Sequence, residues 1–323
     1  MKLITILFTL LLTSFVRWNF VDARHINRDP TQKFIKINGE KMSLSIYGNY
    51  GKKIKQTIVF MSGLNILSPI MTYKPLAEAL SDEFKIIIIE PFGHGYSDVS
   101  KKPRTIENIT KELHKAVHML GLKKFYLAGH SIGGLYALNY IIQYPKEVKG
   151  FIGLDNSAQN GQDSLIGYDS LIAEKLECNR MYNNNTWSGD SEIAKVTKKK
   201  IIDKLMSHTE YYEYSEEDRQ IYTTLFENSY CNDNIASEYE NSPRNYEVVK
   251  DVKFPKSVPT LQILSSDTCN SYSDWLEIHQ DRIYKSPYNE IVIMETGHDI
   301  MFDKKEAIAK KVKSWVKSLK NKK

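Results

Sequence analysis

The chain has 323 residues, 41% of them apolar and 26% charged, with a net charge of +5. That length accommodates one large α/β domain with an insertion, and the composition excludes a disordered chain. A surplus of +5 over this length, part of it a lysine-rich tail, does not mark a nucleic-acid binder.

The first predicted element is not part of the fold. "MKLITILFTLLLTSF" places Lys2 before an apolar run, Leu3 to Phe15, broken only by Thr and Ser. Val21 and Ala23 then stand at the two small-residue positions of a cleavage site. Residues 1–23 are therefore expected to be a secretory signal peptide, with an uncleaved signal anchor as the alternative. The run is short for a transmembrane span, and no later segment is long and apolar enough for one. The expected location is the secretory pathway, the cell surface or the medium.

"KFIKINGEKMSLSIYG" alternates apolar and polar residues around Asn38-Gly39, the pattern of a hairpin closed by a type I′ turn. "TIVFM" (57–61) and "KIIIIE" (85–90) are continuous apolar runs, expected as strands buried on both faces. Helical spacing covers 69–81 and 105–119, followed by a strand over 124–128, a helix over 132–143 and a strand over 150–154. From about 157 to 255 the α/β rhythm stops. The segment is rich in Asn, Ser, Tyr and Lys, with helical stretches near 168–178, 191–206 and 215–228 and no convincing strand. The rhythm resumes with a strand over 260–264, a helix near 272–284, a strand over 290–295 and an amphipathic helix over 303–319. The order predicts an eight-stranded, mostly parallel sheet with a helical insertion after the sixth strand.

Cys178, Cys231 and Cys269 fit no zinc spacing. Cys178 and Cys231 share the inserted region and could pair in an oxidising compartment; three unpaired thiols are the alternative. Asn108 and Asn184 open glycosylation sequons. His114 and His118 lie one turn apart on a predicted helix, like a metal-binding pair, but the sequence indicates no third ligand.

The segment "FYLAGHSIGGLYAL" carries Gly129-His130-Ser131-Ile132-Gly133 between a strand and a helix with almost no loop. A serine on so tight a turn takes strained backbone angles and stands clear of the sheet, and small residues on either side make room for it. Gly129, Gly133 and Gly134 meet that need, and His130 is expected to pack. With these residues in strand-turn-helix context, the chain resembles the α/β-hydrolase family, in its capped esterase and lipase-like branch.

The resemblance covers nearly all of the chain beyond the signal segment. It implies a core of residues 24–156 and 256–323, and a cap or lid of residues 157–255. It implies Ser131 as nucleophile and His298, after the last strand in "METGHDIMF", as base. For the acid it offers Asp267 after the seventh strand and Asp155 after the sixth; Asp267 is favoured, and Asp155 is read as a turn residue opening the cap. Backbone N–H groups of Leu64 and Ile132 would form the oxyanion hole, with Ser62-Gly63 where the family usually has His-Gly. Glu90 stands where Asp is usual, in a turn with Gly93, Gly95 and Ser97 that is expected to be structural.

The implied partner is a small-molecule acyl substrate, with no cofactor and no metal. A prolyl-iminopeptidase-like peptidase and a non-catalytic binding protein share the fold. His130 and Ile132 beside the serine, where the peptidases tend to carry Trp, lower the first; a complete set of triad residues lowers the second. Epoxide hydrolases and dehalogenases use an Asp nucleophile, which Ser131 disfavours. Tyr182, Trp187, Tyr211, Tyr212 and Tyr222 could line a pocket, although packing between cap and core is the simpler role for each.

Overall fold

Asn38 and Gly39 both take positive φ, 53° and 92°, as a two-residue type I′ turn demands. They join β1 (Gln32–Ile37) to β2 (Glu40–Tyr47) as the predicted hairpin. The computed structural model describes residues 31–48, 56–158, 168–184, 195–196, 198–200, 202 and 212–320. The leader over 1–23, His25, His208, Trp187 and Tyr211 lie outside the described residues, as do parts of the Asn184 sequon and of the helix expected over 191–206.

The hairpin is followed by β3 (Thr57–Met61), β4 (Lys85–Ile89), β5 (Phe125–His130), β6 (Val148–Leu154), β7 (Thr260–Ser265) and β8 (Glu290–Met294). They form one sheet in the order β1-β2-β4-β3-β5-β6-β7-β8, antiparallel at β1–β2 and β2–β4 and parallel elsewhere. The central strands are apolar on both faces because helices cover both. On one face Val59, Ile87, Leu127 and Phe151 join the core with α2 (Ile106–Met119) and α3 (Gly133–Gln143). On the other, Phe60 meets Tyr73 of α1 (Pro69–Leu80), and Tyr126 meets Trp315 of the last helix (Lys305–Leu319). Gly150 leaves the space that Trp315 fills: a Cβ there would stand 2.7 Å from the indole.

Between β6 and β7 the described residues form α4 (Tyr168–Asn183), α5 (Glu216–Ser229) and α6 (Asp233–Val248), and no strand. Cys178 of α4 is disulfide-bonded to Cys231, just before α6, and Cys269 is a free thiol. After β7 come two short helices, α7 (Ser266–Ser271) and α8 (Trp275–Asp281), then β8 and the last helix, α9. From Thr31 onward these elements belong to one compact unit. Among the described residues no helix is long and apolar enough to cross a membrane.

α6 carries no apolar signature in the sequence, and its packing explains why. The buried face runs through Asn234, Glu238, Ser242 and Asn245, a helical stripe of polar residues flanked by Ile235, Tyr239 and Tyr246. Apolar periodicity cannot reveal a helix that docks through hydrogen bonds. Asn245 accepts from the Ile106 N–H at 2.7 Å and donates to the Arg104 carbonyl at 3.0 Å. Asn234 accepts from the Ser100 N–H at 2.7 Å and donates to its carbonyl at 2.8 Å. Glu238 accepts from the Tyr136 hydroxyl at 2.8 Å.

Candidate active site

β5 ends at His130 and α3 begins at Gly133, so only Ser131 and Ile132 make the turn. Ser131 has a φ of 52°, a left-handed backbone that costs a non-glycine residue about 1–3 kcal/mol. The surroundings hold it there. Its carbonyl accepts from the Gly134 N–H at 2.9 Å and the Ser157 N–H at 2.8 Å. A Cβ on Gly133 would stand 2.6 Å from the Met61 and Ser62 carbonyl oxygens, and one on Gly129 would stand 2.8 Å from that of Gly133. Backbone closes in from both sides, which is why the two positions are glycine.

His298 follows β8, and its Nδ1 lies 2.6 Å from Oδ2 of Asp155. Asp155 is wholly buried, whereas the His298 side chain is 47% exposed. The carboxylate is fully provided for: Oδ1 accepts from the Ser265 N–H at 2.9 Å, and Oδ2 accepts also from the Thr268 hydroxyl at 2.6 Å. A buried carboxylate needs such donors. They hold one oxygen on His298, so Nδ1 carries the proton and Nε2 is left to act as a base.

The preference for Asp267 is therefore corrected: the structure brings Asp155 to His298. Sheet register gives the reason. His130 pairs with Leu154, and Leu154 with Ile263. Ser131 and Asp155 are thus each the first residue past a row of paired neighbours, while β7 runs on to Ser265 before Asp267. Asp267 then falls in the first turn of α7, exposed, and it is Thr268 that turns inward to Asp155. Nor is Asp155 a simple turn residue: its φ of 40° belongs to a side chain aimed at His298.

His130 is buried, as expected, but it also carries a hydrogen-bonded relay. Its Nε2 donates to the His298 carbonyl at 3.0 Å, which leaves Nδ1 to accept from the Tyr73 hydroxyl at 3.2 Å. The Tyr73 oxygen in turn accepts from the Gly63 N–H at 3.2 Å. Burial, reinforced by the neighbouring His298, pushes the His130 pKa down to about 4, so the ring is neutral near pH 7. The relay ties the loop after β3 to the loop after β8 across the Ser131 turn. A Cβ on Gly63 would stand 3.1 Å from that of Ser131, so the main chain leading into Leu64 runs beside the serine, and Ile132 follows it directly.

Ser131, His298 and Asp267 line one cavity of about 390 Å³. Its aromatic wall is Tyr246 from α6, with Tyr272 and Trp275 from the α7–α8 segment. The described tyrosines singled out from sequence do not line it: Tyr212 donates to Glu78 at 3.1 Å, and Tyr222 is buried. The signal for Tyr246 was hidden with the rest of α6. Ser157, just after β6, also lines the cavity, and its hydroxyl is 3.2 Å from that of Tyr246.

Other predicted features fall outside this site. Glu90 is buried and accepts from Ser68 at 2.7 Å and the Tyr96 N–H at 2.9 Å; burial raises its pKa, and it closes a structural turn. His94 is buried against Glu238, and His279 is buried against Gln262.

The model of a family described as "alpha/beta hydrolase fold" matches residues 56–305. The uncharacterized protein YbdG of Bacillus subtilis (strain 168) is 37% identical over 122 residues, 38% of this chain; the chain spans about a third of that relative's length, 36%. Two solved structures share the fold. The enol-lactonase of Burkholderia xenovorans LB400 aligns over 88% of this chain and 100% of its own, at 18% identity and a TM-score of 0.65. Epoxide hydrolase VrEH1 of Vigna radiata aligns over 92% and 100%, at 18% identity and a TM-score of 0.66.

Proposed function

Since this chain belongs to the α/β-hydrolase fold family, we propose that it is a serine hydrolase that cleaves a carboxylic ester or related acyl bond. The observation that carries the reading is the buried Asp155 held on His298 at 2.6 Å, in a cavity that His298 shares with the strained Ser131.

In this reading Ser131 Oγ attacks the acyl carbon and its proton passes to His298 Nε2. Asp155 stabilises the imidazolium without taking the proton. The Leu64 and Ile132 N–H groups hold the oxygen that gains the negative charge. The acyl–oxygen bond then breaks, and the leaving alkoxide takes the proton from His298. Water, deprotonated by the same nitrogen, attacks the acyl-enzyme; the acyl–Ser131 bond of the tetrahedral species breaks to release the carboxylic acid, and His298 returns the proton to Ser131 Oγ. The cavity of about 390 Å³, walled by Tyr246, Tyr272 and Trp275, suits a small, partly apolar acyl or alcohol group.

A fluorophosphonate probe tests the chemistry, and a series of p-nitrophenyl esters of increasing acyl length tests the substrate. Wild type should be labelled and should turn over the shorter esters, while Ser131→Ala, with an unchanged melting temperature, should do neither. Equal labelling of that variant would overturn the assignment.

Residues 1–23 are read as a cleaved signal peptide, and the Cys178–Cys231 disulfide, which persists in oxidising compartments, supports a secreted location. Edman sequencing of protein recovered from the medium should start at Arg24.

A further inference from the structure

At the opposite end of the sheet from Ser131, three side chains converge on one point. His114 and His118, one turn apart on α2, both direct Nε2 at Oε1 of Glu147, at 3.3 and 2.9 Å. The three donor atoms all lie within 4.8 Å of one another. Sequence supplied the histidine pair without a third ligand; the fold supplies it, because Glu147 immediately precedes β6 and the α3–β6 turn returns beside α2.

We propose that His114, His118 and Glu147 form a binding site for a divalent transition-metal ion of the zinc class. Ligand type fits, since two imidazoles and a carboxylate are a common donor set for zinc. Spacing fits as well: in a tetrahedron with bonds of about 2.1 Å the ligand atoms stand about 3.4 Å apart, close to the two nitrogen–oxygen distances already present.

The ligands are also held in place. The second oxygen of Glu147 accepts from the Tyr140 hydroxyl. Glu147's own N–H donates to the Tyr144 carbonyl at 3.0 Å, and its carbonyl accepts from the Phe125 N–H at 3.0 Å. The His114 ring stacks on Tyr144, with centroids 3.9 Å apart and planes 15° from parallel. Such outer contacts orient metal ligands and sharpen affinity. His118 is 52% exposed, so an ion has an open path and a fourth position for water.

The length of β6 separates Glu147 from Asp155 by about 26 Å, so an ion here takes no part in chemistry at Ser131. It would clip α2 to the turn between α3 and β6. Without an ion, the same atoms make two hydrogen bonds to one carboxylate oxygen, and the experiment must separate these two states.

Isothermal titration of the tag-free protein with ZnCl2 is the test. Wild type should bind one equivalent with a Kd in the low micromolar range or tighter, and zinc should raise its melting temperature. His118→Gln and Glu147→Gln, which keep the size of the side chain, should each weaken binding at least tenfold and remove the thermal shift. Ser131→Ala/His298→Ala should retain the wild-type isotherm. The proposal is overturned if wild type shows no one-to-one binding, if His118→Gln or Glu147→Gln binds as tightly as wild type, or if binding disappears with His298.

Discussion

Asp155 Oδ2 lies 2.6 Å from His298 Nδ1, and the same oxygen is 2.6 Å from the Thr268 hydroxyl. The carboxylate is thus fixed from two sides before any substrate arrives. Replacing it with Asn keeps the shape but favours the wrong imidazole tautomer, a change that lowers turnover by about 10⁴ in serine proteases. Asp155→Asn should lose activity on this scale, measured as kcat on a p-nitrophenyl ester. Asp267→Asn, altering an exposed residue at the cavity edge, should change KM more than kcat. The reverse pattern would restore Asp267 as the acid.

His130 gives the stability a pH dependence of known sign. Its pKa is about 4 in the fold, against about 6.5 for a free histidine. Between those values the unfolded chain binds the proton and the folded chain does not, so stability is full above about pH 6.5 and falls as pH drops toward 4. The loss from this group reaches at most about 3 kcal/mol. His130→Asn, whose amide oxygen can still accept from Tyr73, should flatten that part of the curve in urea titrations at pH 7, 5.5 and 4.5. An unchanged slope would remove His130 as its source. Loosening the Gly63–Tyr73–His130–His298 relay should also lower kcat, by up to about 10²-fold, with KM little altered.

Asn245 is the buried bolt between α6 and the chain that opens α2, bonded to it in both directions. Asn245→Ala leaves the Ile106 N–H and the Arg104 carbonyl without that partner, at a cost of about 2–4 kcal/mol. For a chain of this size the melting temperature should fall by roughly 4–8 °C. A fall within the error of calorimetry would show that the α6 interface contributes little to stability.

The Cys178–Cys231 disulfide spans 53 residues between β6 and β7. In the chain-entropy account a loop of this length stabilises by about 4 kcal/mol. Cys178→Ala/Cys231→Ala should therefore melt well below wild type, and dithiothreitol should lower the melting temperature of wild type but not of the variant. Equal response of both proteins to the reductant would place the effect elsewhere.

Features local in the chain are legible from residue order alone. Strand runs, the Asn38-Gly39 turn and the glycine-flanked Ser131 are written in consecutive residues, because backbone sterics and burial periodicity act over a few positions. His298 could be placed because it directly follows a legible strand. The carboxylate that meets it could not: both Asp155 and Asp267 follow strands, and the choice turns on how far β7 extends past its pairing with β6, a matter of register between segments more than a hundred residues apart. α6 was hidden for a related reason, since its buried stripe is polar and gains its partners only when the loops around Gly93, Ser100 and Arg104 fold against it. The same holds for Glu147, which comes to His114 and His118 only when the turn before β6 packs beside α2. Hydrogen-bond partners distant in sequence are chosen by tertiary packing, and no short-range pattern records them.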